Sequence, residues 1–151
     1  MTPPSFQPFH LLLVEDQLAD VLLLEESFMD LRTPVRLSVV RDGVDALRFL
    51  RGEDPFQGAL RPDLVLLDLH TRLIDGLEVL AEVRRAPALR GLPVMVLSTV
   101  NRPLDVERAY DLGANAYFTK PGTLEGYLAF TRLLESFWMQ GACLPTRSPV
   151  R

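Results

Sequence analysis

Short apolar runs alternate along the chain with longer segments whose apolar positions recur every three or four residues. The runs predict strands over His10–Val14, Val35–Val40, Leu64–Leu67, Val94–Leu97 and Ala116–Thr119. Between the first two, Val21, Leu24, Phe28 and Leu31 fall at helical spacing, so a helix is expected from about Asp20 to Leu31. A second helix, Val44–Leu50, follows the turn residues Asp42 and Gly43, and a loop rich in Gly, Pro and charge leads into the third strand. Asp75 and Gly76 open a third helix, Leu77–Arg85, that Pro87 and Gly91 stop. Asn101 is expected to cap a fourth helix with Pro103 in its first turn and Gly113 at its end. The last helix runs from about Leu124 to Met139.

Strands that are apolar throughout, alternating with amphipathic helices, predict a doubly wound α/β domain with a parallel sheet and helices on both faces. Ligands of such folds gather outside the carboxyl ends of the strands. That rule brings residues remote in sequence onto one edge: Glu15 and Asp16 after the first strand, Asp68 after the third, Ser98 and Thr99 after the fourth, and Lys120 after the fifth.

Three carboxylates on one edge repel one another unless a cation compensates them. Mg²⁺ suits oxygen ligands and takes one or two carboxylates together with phosphate oxygens, so Glu15, Asp16 and Asp68 form a candidate metal site. A carboxylate so placed can also attack phosphorus, provided the charge of the transferring group is neutralised in place. Asp68 is the candidate nucleophile, with Lys120 and the Ser98 hydroxyl as donors to the phosphoryl oxygens. Each residue has an ordinary alternative: Asp68 as a strand-end acid, Glu15 and Asp16 as acids beginning a helix, Lys120 as a solvated lysine, Tyr117 as a packed ring. His10 reads as packing or edge, and Cys143 as a free thiol.

Composition narrows the partners. The 151 residues suffice for one self-standing core and carry a net charge of −4 without a basic run, which argues against nucleic-acid binding. One cysteine excludes an internal disulfide, and the opening MTPPSFQPFHLLLVED has neither a basic n-region nor a long apolar stretch, so a cytoplasmic, non-membrane protein is expected. The expected division is an N-terminal arm at 1–8, one domain at 9–140 and a tail at 141–151.

The acidic pair in LLLVEDQ, the acceptor in DLVLLDL, the DG seven residues later, Ser98 in VMVLSTV and the Lys-Pro pair in YFTKPG resemble the receiver domain of two-component response regulators. The resemblance implies a flavodoxin-like five-stranded sheet of order 2-1-3-4-5 and no enzymatic turnover. It also implies phosphate accepted on Asp68 from a histidine kinase, with Mg²⁺ on Glu15, Asp16, Asp68 and the His70 carbonyl, and a switch at Ser98 and Tyr117. The sequence departs from the family pattern at Thr71 and Arg72, where an apolar residue followed by proline is usual. A narrower likeness, carried by RFLRGEDPFQGALRPDLVLLDL, ALRGLPVMVLST and ESFWMQGACLP, is to single-domain regulators partnered with phytochrome-type histidine kinases. It implies signalling by protein–protein interaction and pairing through the fourth helix, fifth strand and fifth helix. Tyr127, Phe130, Leu134, Phe137 and Trp138 are the expected dimer residues, with closure of the chain's own core by the last helix as the competing reading of the same apolar excess, and Ala19, Leu22, Leu23, Pro121 and Gly122 are the expected kinase contacts. A receiver working without phosphorylation, a phosphoaspartyl phosphatase and a flavin mononucleotide carrier compete with this reading. The phosphatase lacks its D-x-D arrangement in EDQLAD, and the carrier's phosphate would be repelled by Glu15 and Asp16.

Overall fold

A computed structural model describes residues 7–145. Five parallel strands, β1 (Phe9–Val14), β2 (Val35–Val40), β3 (Leu64–Leu67), β4 (Val94–Ser98) and β5 (Ala116–Thr119), form one sheet in the order β2-β1-β3-β4-β5. Helices α1 (Leu18–Met29), α2 (Gly43–Arg51), α3 (Gly76–Arg85), α4 (Pro103–Asp111) and α5 (Leu124–Leu134) follow the strands in turn. The doubly wound prediction and its strand order are borne out.

Alternation along the strands explains the layers. Leu11 and Leu13 of β1, Leu64 and Leu66 of β3, and Met95 and Leu97 of β4 pack against α1 and α5; Leu12, Val14, Val65, Leu67, Val94 and Val96 pack against α2 and α3. Both faces of the central strands are covered, so β3 is apolar at every position and β1 and β4 at all but His10 and Ser98, whereas the edge strand β2 keeps an exposed Arg36. Asp42 and Asp75 cap α2 and α3, their carboxylates accepting from Asp45 N (2.8 Å) and Glu78 N (3.1 Å).

Three expectations need correction. The first helix starts two residues earlier than read and ends at Met29. The residue preceding α4 is Arg102 rather than Asn101; it makes no side-chain cap, and Pro103, which has no N–H to satisfy, opens the helix. The last helix does not run regularly to Met139: α5 ends at Leu134 and Glu135–Gly141 continues as a wider π-helical turn, closed by the Ala142 N–H on the Phe137 carbonyl at 2.7 Å.

That turn changes which aromatics face the sheet. Trp138 and Met139 pack on the α1/α5 side of the core, and the Trp138 indole donates to the Met95 thioether at 3.0 Å, while Phe137 stays 59% exposed. Tyr127, Phe130 and Leu134, expected at a subunit interface, are buried in the chain's own core. Helix α5 needs a broad apolar face because it packs beside α1 on the cluster to which β1, β3 and β4 contribute, and its Phe130 ring meets Phe118 of β5 edge-on at 5.3 Å. The expected tail also starts as part of the fold, since Gly141 completes the π turn and Leu144 packs on the same cluster. The rest of that tail from 146 onward, and positions 1–6 of the expected arm, lie outside the described residues.

Candidate functional site

Ladder bonds extend one residue past the paired strands and fix where the chemistry-bearing side chains emerge. Glu15 N–H donates to the Val40 carbonyl (3.0 Å), Asp68 N–H to that of Val14 (3.1 Å) and Lys120 N–H to that of Ser98 (2.8 Å). Backbone hydrogen bonds thus hold Glu15, Asp68 and Lys120 in register across neighbouring strands, so their proximity does not depend on a flexible loop.

The side chains converge as the strand-end rule requires. The Lys120 ammonium, 4% exposed, lies 2.6 Å from Glu15 Oε2, 3.1 Å from Asp68 Oδ2 and 3.3 Å from Asp20 Oδ2. Glu15, Asp16 and Asp68 each place a carboxylate oxygen within 4.8 Å of the others. Asp68 Oδ1 accepts the His70 N–H at 3.1 Å, and Glu15 Oε1 accepts that of Gln17 at 3.0 Å. Ser98 is fully buried and its hydroxyl oxygen accepts the Val100 N–H at 3.2 Å, whereas its neighbour Thr99 is exposed. That difference separates the two hydroxyls that sequence leaves adjacent. Tyr117 is half-buried on β5 and donates its hydroxyl to the Val100 carbonyl, so Ser98 and Tyr117 both hold the backbone that follows β4.

Asp20 is the site residue that the sequence reading overlooks. One of its oxygens faces Lys120 and the other accepts the Tyr127 hydroxyl at 2.7 Å. Its sequence signal, an acid in the first turn of α1 just beyond the carboxyl end of β1, looks like an ordinary helix-start charge. Among the expected kinase contacts, Ala19, Leu22 and Gly122 are exposed and Pro121 is half-buried. Leu23 is half-buried and packs against the α1/α5 core cluster.

The electrostatics follow from burial. Burial alone would pull the Lys120 ammonium down, but its bond to Glu15 and the charge of Asp68 outweigh this and hold it above the ordinary lysine range. Removal from water pushes the Glu15 carboxyl up to about 7, with Asp68 adding to the rise and Lys120 opposing it. The folded chain therefore keeps a proton that an unfolded glutamate releases near 4.5, and the metal-free fold loses stability as pH rises from about 4.5 to about 7. A cation held by Glu15 would bind with the opposite slope, because it needs the carboxylate. Affinity for Mg²⁺ is expected to rise about tenfold between about pH 6 and about pH 8, with proton release, in titration calorimetry using buffers of different ionisation enthalpy. A flat affinity would remove Glu15 from the ligand set.

All-oxygen donors, two of the three carboxylates buried and the third half-buried, fit a hard divalent cation. Lys120 lies against Glu15 and Asp68, while Asp16 makes no ion pair with it among the described residues. The arrangement sets the Asp68 carboxylate between a fixed ammonium and a cluster of oxygens able to take a cation. Among the described residues no helix is long and apolar enough to cross a membrane.

Comparison with known proteins bears on what this arrangement is. A family profile described as "Response regulator receiver domain" matches residues 11–130. The chain is 38% identical over 145 residues to response regulator Rcp1 of Synechocystis sp., covering 96% of this chain and 99% of the relative. The structure of the phosphorylated cyanobacterial phytochrome response regulator RcpA superposes with a TM-score of 0.88 at 40% identity, covering 93% of this chain and all of the other. The Mn²⁺-bound form of Rcp1 superposes with a TM-score of 0.85 at 38% identity, covering 92% and 100%.

Proposed function

The chain belongs to the response regulator receiver domain family, and we propose that it signals by accepting a phosphoryl group on Asp68 from a histidine kinase of the phytochrome type. The observation that carries the reading is the Lys120 ammonium 3.1 Å from Asp68 Oδ2, with Glu15 and Asp16 beside it. A carboxylate oxygen of Asp68 forms the bond to phosphorus as the bond from phosphorus to the kinase's imidazole nitrogen breaks, and the imidazole leaves as the neutral ring after taking up a proton. Glu15, Asp16, Asp68 and the His70 carbonyl would hold Mg²⁺, which when bound neutralises phosphoryl and carboxylate oxygens together. Lys120 supplies a fixed ammonium to one phosphoryl oxygen and the Ser98 hydroxyl donates to another.

Ser98 also has the Val100 N–H on its oxygen, and Tyr117 is bonded to the Val100 carbonyl. Turning the Ser98 hydroxyl toward a phosphoryl group releases Val100 N–H and frees Tyr117 to reorient. This relays the state of Asp68 to the α4–β5 surface as a population shift between two arrangements. The protein is read as a cytoplasmic interaction module without nucleic-acid binding rather than an enzyme. The exposed residues Ala19, Leu22 and Gly122, with Pro121, meet the kinase. Phe137, exposed where Trp138 turns inward, remains the surface for a second copy on the α4–β5–α5 side, and a mass equal to one chain at every concentration in gel filtration would remove that pairing.

Incubation with a small-molecule phosphodonor and Mg²⁺, followed by intact-mass measurement, tests the central claim. One phosphoryl group is expected on the chain, and none when the metal is chelated; no gain under either condition would overturn the reading.

A further inference from the structure

The loop between β3 and α3 brings a cation to the metal site that the proposed chemistry does not use. Arg72 Nε lies 3.8 Å from Asp16 Oδ2, with the arginine side chain 81% exposed and the aspartate side chain 15% exposed. The backbone of Arg72 is held from two sides: its carbonyl accepts the Gly43 N–H at 3.3 Å and the Ile74 N–H at 2.8 Å, and it bridges to Asp42 across from the end of β2. Leu73 between them has a φ of +70°, a left-handed conformation that costs a non-glycine residue about 1–2 kcal/mol, and the Thr71 hydroxyl bonded to the Ile74 carbonyl at 2.8 Å helps hold that turn closed. The backbone is therefore anchored while the side chain is free to swing, with its guanidinium at the outer edge of the three-carboxylate cluster.

Resting on the metal site proposed above, we propose that Arg72 is an affinity-setting residue for the divalent cation: its guanidinium is a built-in counter-charge on Asp16 that an incoming ion must displace. The physical argument is a comparison of charges. Lys120 is fixed among Glu15, Asp68 and Asp20, and does not reach Asp16 within ion-pair distance. Asp16 is thus the carboxylate left for a second positive charge, and Arg72 and the metal compete for it. The guanidinium is solvent-facing and stands 3.8 Å from the carboxylate oxygen, so the pair's own strength is small. A guanidinium that stays nearby after displacement still repels a doubly charged ion a few ångströms away, an effect that salt screens over roughly 10 Å at 0.1 M. The two contributions together give a modest, salt-dependent weakening of metal binding. A proline at this position, the usual pattern noted for the loop, could not produce it.

Calorimetric titration of Mg²⁺ into the full chain, with Arg72→Gln and Arg72→Lys beside the wild type, tests this. Neutral Gln should bind Mg²⁺ about three- to tenfold more tightly than wild type, Lys should stay close to wild type, and the gap should shrink in about 1 M salt. Because Arg72 is exposed, both variants should keep the wild-type melting temperature without metal. Equal or weaker binding by Arg72→Gln overturns the role of Arg72 while leaving the metal site intact. Absence of binding in all three proteins overturns the site and the role together.

Discussion

Asp68→Asn is expected to lose phosphorylation to background while keeping the fold. The amide matches the carboxylate in shape, so the carbonyl oxygen still accepts the His70 N–H that Asp68 Oδ1 accepts at 3.1 Å. Lys120 retains Glu15 at 2.6 Å and Asp20 at 3.3 Å, so no buried charge is stranded. What disappears is the anionic oxygen, the only atom of this side chain able to attack phosphorus. Intact-mass analysis after exposure to a phosphodonor and Mg²⁺ reads the outcome directly, with a melting curve as the control for folding. A mass gain in the variant equal to that of wild type would place the acceptor at another residue.

Lys120→Met should have the largest effect on stability. Its ammonium faces Glu15, Asp20 and Asp68, and its side chain and that of Asp68 are only 4% and 6% exposed. Removing one partner of a buried ion pair costs about 3–5 kcal/mol, because the remaining charges stay out of water without compensation. The loss should be fullest at about pH 8 and smaller at about pH 6, since Glu15 already holds its proton up to about 7 and a neutral carboxyl needs no counter-charge. Mg²⁺ should restore part of it by bringing two positive charges to the same oxygens. Urea unfolding at both pH values, with and without Mg²⁺, measures all three effects. A variant as stable as wild type at about pH 8 without metal would show that Lys120 is not the cluster's compensating charge.

Strands were the most readable elements, for a physical reason. β1 and β3 are buried throughout and end where their apolar runs end, because residues covered on both faces must be apolar and the next position is free to be polar; β5, partly exposed, ends on Thr119 just before Lys120. The acids and the lysine follow those ends directly, so Glu15, Asp68 and Lys120 could be placed on one edge before any coordinates. Helix α5 stayed ambiguous because an excess of apolar residues looks the same whether the covering surface is a partner or the chain's own sheet. Tyr127 shows the difficulty best, since what allows its hydroxyl to be buried is Asp20, 107 residues away. Asp20 itself was invisible as a site residue because a first-turn acid already has a sufficient local explanation. Arg72 stood out only as a departure from a loop pattern; its position opposite Asp16 depends on the β3–α3 turn, and no periodicity encodes that.

The π-helical turn seats Trp138 on Met95, three positions before Ser98 on the same strand. Trp138 is the chain's single tryptophan, so emission excited selectively in the indole band, beyond tyrosine absorption, originates at the back of the strand whose tip would sense phosphate. A sulfur at hydrogen-bond distance makes that emission sensitive to small displacements of β4. The molecule thus carries an intrinsic optical gauge of β4, usable without any attached dye.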